Sequence, residues 1–375
     1  MAAPCPDAPL ESFPCRSRGQ CAVAGATTFP RPIGRYPVED LAPADPRALG
    51  GITLRGRLGE GGMGRVYAGF TEDGEYVAVK VLLDAHAERK DLRGRFAREI
   101  AAMQMVQDPG TAALLDAASP DDDPPWLAME FVRGLSLRDY VQRYRPLGAE
   151  SGAALGLVLA DALDAIHAAG LLHRDLKPSN VLMGPEGPRV IDFGLVALGG
   201  PGGELTTTGA TVGTPVCMAP EQADSPADVT AAADVYGLGA TLLYAATGHY
   251  PYQRPAIPAV IAALTSEDVP PDLDGAPAEL SPLIARMLAH APAGRPPLTE
   301  VRRLLAERLA VSGRSPAAAR TALARETYVP GADEPDDRVI ARPVRRPRHV
   351  GRTRSQMPNT PVVVRTAERL RRAYA

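Results

Sequence analysis

The sequence predicts an α+β chain of two lobes, a small β-rich one followed by a larger helical one. Two observations carry that prediction. Short β-like runs bounded by turn residues crowd the stretch from Gly50 to about residue 133, and helical spacing takes over from Gly134 to about Val311. The bulk composition agrees. With 45% hydrophobic and 23% charged residues over 375 positions, the chain is that of a soluble globular protein with room for one large two-lobed domain or two ordinary ones.

Residues 1–49 are rich in Pro and Ala and lack a periodic apolar pattern, so a disordered lead-in is expected there. The small lobe, 50–133, opens with ITLRGRL. RVYAGF and YVAVKVLL follow as a strand pair joined by the turn Glu72-Asp73-Gly74. A helix is expected over roughly Leu92 to Val106, where Phe96, Ile100 and Met103 fall at helical spacing. A second strand pair is expected at Ala112 to Leu115 and Trp126 to Phe131, divided by the acidic loop SPDDDPP.

The large lobe, 134–311, contains the uncharged stretch Val235 to Gln253. Its length invites comparison with a membrane span, but its glycines, His249, Pro251 and tyrosines favour a buried helix ending near Gly248. MAAPCPDAPL has no basic start followed by an apolar run. The expectation is a cytoplasmic protein without membrane contact. Cys5, Cys15, Cys21 and Cys217 form no CxxC pair and have no paired His, so neither a zinc site nor a disulfide framework is indicated. Residues 312–375 form a Pro/Arg-rich basic tail, with eleven Arg against one Glu between Arg338 and Ala375. Two readings stand side by side for it: a solvated flexible extension, and a contact for nucleic acid or an acidic partner through 338–375. TAERLRRAYA, from Thr366, has the pattern of a short basic helix.

The chemistry begins at Leu58-Gly59-Glu60-Gly61-Gly62-Met63-Gly64-Arg65-Val66. Glycines at 59, 61 and 64 let backbone approach phosphates closely. Such a run also occurs as a dinucleotide fingerprint, but that needs a helix immediately afterwards. Here a strand follows. A glycine loop joining two antiparallel strands is a nucleotide lid that demands a lysine on the next strand, and Val77-Ala78-Val79-Lys80 supplies it. A partner acid is then required on the following helix. Glu99 lies nineteen residues beyond Lys80, although alone it would read as an ordinary surface glutamate.

Lysine is scarce in this chain: of 41 Lys plus Arg, only Lys80, Lys90 and Lys177 are Lys. A Lys retained where Arg is the rule points to a site needing a compact ammonium rather than a planar fork. Lys177 sits in His173-Arg174-Asp175-Leu176-Lys177-Pro178-Ser179-Asn180, which fits H-R-D-x-x-x-x-N, and Asp192-Phe193-Gly194 fits D-F-G. Between them VLM and RVI flank Gly184-Pro185-Glu186-Gly187 as a hairpin. That folding brings Asp175, Asn180 and Asp192 together as an oxygen-rich site suited to magnesium with phosphates.

Over roughly residues 50 to 310 the chain resembles the bacterial Hanks-type serine/threonine protein kinases, and the resemblance implies a two-lobed protein kinase fold and roles for these residues. Asp175 would accept or orient the proton of the attacking hydroxyl, and Lys177 would touch the γ-phosphate. Lys80 would hold the α- and β-phosphates with Glu99 as its partner; Asn180 and Asp192 would ligate Mg2+ or Mn2+. Leu58 through Gly64, Val66 and Ala78 would enclose ATP. Glu130, Phe131 and Val132 would form the hinge that reads adenine, with Met129 limiting pocket depth or simply filling core. His173 is expected to be structural. The resemblance also pairs Glu221 with Arg295 and assigns Asp234 to tying down the catalytic loop.

Between D-F-G and Ala219-Pro220-Glu221, LTTTGATVGT carries five threonines. The resemblance implies autophosphorylation at Thr206 and Thr208, ordering the loop against Arg174, while a merely flexible Thr/Gly loop is the plainer alternative. Thr214 is expected to contact the catalytic aspartate. Cys217 stands where the family usually has an aromatic residue, a departure that bears on the packing of the substrate-binding loop and leaves thiol sensitivity as an option, and Gly237 replaces a common Ser; neither position does chemistry. Protein substrates are implied, and so is room for a homodimer phosphorylating in trans. Two readings from other classes remain. A scaffold without catalysis would be favoured by loss of Lys80, Asp175 or Asp192, none of which is lost, and a nucleic-acid-binding protein would act through 338–375.

Overall fold

A computed structural model of the chain describes residues 38–61, 64–82, 100–119, 122–193, 215–225 and 228–330. Among them, seven strands form one antiparallel sheet: β1 (Glu39–Asp40), β2 (Ala48–Leu49), β3 (Ile52–Gly61), β4 (Gly64–Phe70), β5 (Tyr76–Leu82), β6 (Leu114–Ala117) and β7 (Trp126–Glu130). Their order is β1-β3-β4-β5-β7-β6, with β2 also paired to β3. Alternation decides what each face carries. Val77, Val79 and Val81 of β5 are buried with Ile52, Leu54, Tyr67 and Trp126, which leaves Ala78 and Lys80 on the opposite face.

The register then sets that second face. Val66 stands opposite Lys80, Ala68 opposite Ala78, and Met129 opposite both Ala78 and Leu114. Leu58 packs against Ala68 and Phe70 on the same side. The expected roof of a nucleotide pocket is therefore one continuous sheet face, because directly opposed residues share a side.

The larger lobe is helical: α1 (Leu137–Arg143), α2 (Ala149–Ala168), α3 (Pro220–Asp224), α4 (Ala231–Thr247), α5 (Ile257–Thr265), α6 (Ser281–Met287), α7 (Leu298–Val311) and α8 (Pro316–Thr327). A two-stranded hairpin, β8 (Val181–Gly184) with β9 (Gly187–Val190), lies between α2 and α3 in the chain. Helix α4 realises the uncharged stretch from Val235: it is buried along most of its length and stops at Gly248, whose φ of 82° is the left-handed C-cap. Among the described residues one helix, α2, is long and apolar enough to cross a membrane. Twelve of its twenty residues are buried inside the lobe, which accounts for its composition as core.

The ordered body is longer than 50–311 at both ends. The lead-in, expected to be disordered through residue 49, pairs two short strands with β3 and buries Asp45. The tail, expected to be flexible from 312, forms α8, capped by Ser315 accepting from the Ala318 N–H, with Ala319, Leu323, Ala324 and Thr327 buried. Of the helix expected over 92–106, residues 100–106 are described: 100–103 are helical with Ile100 and Met103 buried, and the helix ends there rather than at Val106. Residues 338–375 lie outside the described residues.

Candidate active site

The hairpin sets the site. Asn180 ends a tight turn begun by Pro178, its N–H donating to the Lys177 carbonyl at 2.9 Å, and its own carbonyl accepts the Ile191 N–H at 3.0 Å. Asp192 is thus delivered beside Asn180. Asn180 Nδ2 donates to the Asp175 carbonyl (2.8 Å) and to Asp175 Oδ2 (3.2 Å), so Asp175 and Asn180 meet, with Asp192 one residue beyond the Ile191 bond to Asn180. Lys177 Nζ lies 2.6 Å from the same Oδ2. From the sheet, Lys80 Nζ reaches Asp192 Oδ1 at 3.0 Å. Charge from both lobes meets at one point.

Backbone strain marks the place. Arg174 and Asp192 have φ of 63° and 60°, the two non-glycine residues in the left-handed region among those described. A conformation of that cost persists only where surrounding contacts impose it. Asp234, buried on α4, supplies them for Arg174: its carboxylate accepts the N–H of His173 (2.9 Å), the N–H of Arg174 (2.7 Å) and His167 Nε2 (2.7 Å). Burial works against the charge on Asp234, yet these donors outweigh it and hold the carboxyl below its ordinary range. His173 is wholly buried, and its Nδ1 accepts the Asp175 N–H at 3.3 Å, a structural use as expected.

Arg295 makes a bidentate pair with Glu221 at 2.6 and 2.8 Å, with its guanidinium also donating to three carbonyls, those of Ala232, Ala289 and His290. Gln222, beside Glu221 on α3, donates to the Arg174 carbonyl at 2.7 Å. Cys217 corrects an expectation. It is buried, and burial first, then the nearby Asp175 charge, pushes its thiol well above the ordinary value. A thiol held protonated there is a poor nucleophile. At Gly237 an added Cβ would lie 3.1 Å from the Leu176 carbonyl, which explains why the catalytic loop can sit so close to α4.

Of the other expected residues, Leu58, Gly59, Val66, Ala78 and Met129 line the sheet face described above, Met129 being also part of the main core. The Glu130 N–H is taken by the Ala113 carbonyl at 2.8 Å, and Val132 follows it half-buried. Gly62, Met63, Glu99, Thr206, Thr208 and Thr214 lie outside the described residues. Asp175 carboxylate, Asn180 and Asp192 form a hard oxygen donor set, with the Asn amide nitrogen already turned onto Asp175; that chemistry fits Mg2+ or Mn2+. Sequence reasoning missed His167, Gln222 and Asp45. The partners that give them their meaning, Asp234 for His167, Arg174 for Gln222 and Arg57 with Tyr67 for Asp45, are distant in sequence, so no spacing announced them.

Comparison with known proteins agrees with this geometry. The protein kinase domain family matches residues 52–304. The serine/threonine-protein kinase AfsK of Streptomyces coelicolor is 44% identical over 276 residues, which cover 74% of this chain and 34% of AfsK. The chain thus matches about a third of that relative's length. PkaB of the same organism, also a serine/threonine-protein kinase, is 34% identical over 75% of this chain and 66% of its own. The crystal structure of the Mycobacterium tuberculosis PknI kinase domain superposes with a TM-score of 0.55 at 28% identity, covering 72% of this chain and 99% of that one. With Asp175 paired to Lys177 and Asp192 paired to Lys80 where a β-rich sheet meets a helical lobe, and with the family match over 52–304, the chain belongs to the protein kinase family, in its bacterial Hanks-type serine/threonine branch.

Proposed function

We propose that this chain transfers the γ-phosphoryl group of ATP to Ser and Thr hydroxyls of proteins, and that phosphorylation of its own loop at Thr206 and Thr208 switches it on. One observation carries the reading: Lys177 and Asn180 both contact the Asp175 carboxylate, Lys80 contacts Asp192, and the Ile191 N–H bond to the Asn180 carbonyl ties the two groups together. Phosphoryl transfer asks little covalent chemistry of a protein and much positioning and charge neutralisation. The sheet face of Leu58, Val66, Ala78 and Met129 is apolar and suits an adenine ring. Lys80 then steadies the phosphates, and Lys177 meets the charge that develops on the transferred group.

Asp175 accepts or orients the hydroxyl proton, its carboxylate fixed from two sides by Lys177 and Asn180. Mg2+ or Mn2+ at Asn180 and Asp192 would neutralise phosphate charge. A cytoplasmic site of action belongs to the same proposal, since ATP and magnesium are available there. An inert scaffold is disfavoured, because the groups such a protein would have lost are all in place. The test is transfer from γ-labelled ATP, with magnesium, to a generic basic protein, followed by phosphoamino acid analysis. Phosphoserine or phosphothreonine from wild type and none from Asp175→Asn is expected; no transfer, or phosphotyrosine alone, would overturn the reading.

A further inference from the structure

Among the described residues, Asp45 is an acid with four hydrogen-bond donors, in a lead-in that precedes the family-matched span of 52–304. Its side chain is fully buried. Four donors satisfy it: Arg57 Nε and Nη2, both at 2.7 Å, the Tyr67 hydroxyl at 2.9 Å and the Ala42 N–H at 2.7 Å. A carboxylate so held is a fixed point, because losing any donor leaves buried charge uncompensated. Arg65 Nη1 lies 3.9 Å from it as well.

Both arginines continue to the glycine run. Arg65 Nε is 3.0 Å from Glu60 Oε2, and Arg57 Nη1 is 3.7 Å from the same oxygen. Glu60 stands opposite Arg65, one step from the Gly61–Gly64 pair that closes the β3–β4 lid. The ladder itself is irregular just below, with a register shift between Arg57 and Gly59. A second shift lies between Leu54 and Gly56, so the side-chain network from Arg57 to Glu60 crosses a stretch where main-chain pairing is interrupted.

We propose that Asp45 is a positioning residue for nucleotide binding: through Arg57 and Arg65 it fixes Glu60 and with it the β3–β4 pairing from Gly59 to Gly61 against Gly64 to Val66. The segment 38–49 is then a working part of the nucleotide site. The inference rests on the kinase reading above. Asp45 is held ionised by its Arg57 hydrogen bonds, with its pKa down at about 2, so the brace does not titrate near neutrality. Anything that withdraws the segment loosens the lid, and affinity for ATP falls by as much as the withdrawn state binds it more weakly.

The test measures affinity for magnesium-ADP by calorimetry, together with amide hydrogen exchange of residues 57–67 without nucleotide, on full-length wild type, Asp45→Asn, Glu60→Gln and Arg65→Gln. Glu60 is half exposed, so its variant reports on the lid with little effect on folding. A brace gives roughly tenfold weaker binding in all three variants, within the usual range of coupling between sites. It also gives faster exchange at 59–66, a raised KM for ATP against a nearly unchanged kcat, and a non-additive Asp45→Asn/Glu60→Gln double variant. Unchanged affinity and exchange in Glu60→Gln and Arg65→Gln would overturn it, even if Asp45→Asn fails to fold. Wild type that binds no nucleotide would instead bring down the kinase reading, and this inference with it.

Discussion

Gly59 and Gly64 stand in one glycine-rich run for different physical reasons. A Cβ on Gly64 would sit 2.2 Å from the Val81 carbonyl, so the close approach of β4 to β5 forbids it. A Cβ on Gly59 would meet nothing within 4 Å, so the protein itself leaves room for a side chain there, and on the proposed function it is a bound nucleotide that would need the space. Gly64→Ala is accordingly expected to cost about 1–3 kcal/mol by overpacking, read from urea midpoints. Gly59→Ala should leave the midpoint unchanged and weaken magnesium-ADP binding. Asp45 and Asp234 set a pH dependence at the same scale. Both carboxyls are held below their unfolded values, so the stability they contribute is present above about pH 4 and lost as pH falls through their folded values. The urea midpoint should drop between about pH 4 and 2, and drop less in Asp45→Asn. Lys80, Asp175, Asn180 and Asp192 were legible in the sequence because the chemistry tolerates only those residue types at those spacings. Asp45 was not, since an Asp in a Pro/Ala-rich stretch acquires meaning only when Arg57 and Tyr67 close around it.

Elements differ in how plainly the sequence writes them. β5 reads itself out, because Val77, Val79 and Val81 alternate with Ala78 and Lys80. The β8–β9 hairpin was equally legible from its glycine-flanked turn. β1 and β2, two residues each, carry no period at all and exist because β3 offers them an edge. Helix α8 was missed for another reason: an Ala- and Arg-rich segment has helix propensity but little apolar stripe, and its burial depends on α2 being there to receive it. Arg320 on α8 donates to the Pro109 carbonyl (2.6 Å) and to the Glu186 carbonyl in the β8–β9 turn (3.2 Å), while Glu326 accepts from Arg145 and Ser151. The helix thus supports the hairpin that carries Asn180 and Asp192. Leu323→Ala should destabilise the protein by about 2–5 kcal/mol. Truncation after residue 330 should preserve the melting temperature that truncation after residue 312 lowers.

At the scale of the whole molecule, the account depends on two lobes contributing opposite halves of one site. The sheet brings Lys80 and the lid; the helical lobe brings Asp175, Lys177, Asn180 and Asp192, anchored through Asp234. The two lobes meet at the 3.0 Å Lys80–Asp192 pair, and the proposed phosphoryl transfer needs both halves. The most direct measurement is intact mass, with peptide mapping, of phosphatase-treated wild type and Asp175→Ala after incubation with magnesium and ATP. The account expects wild type to gain phosphates on Thr206 or Thr208 and the variant to gain none. No gain by wild type, or equal gain by both, would contradict it.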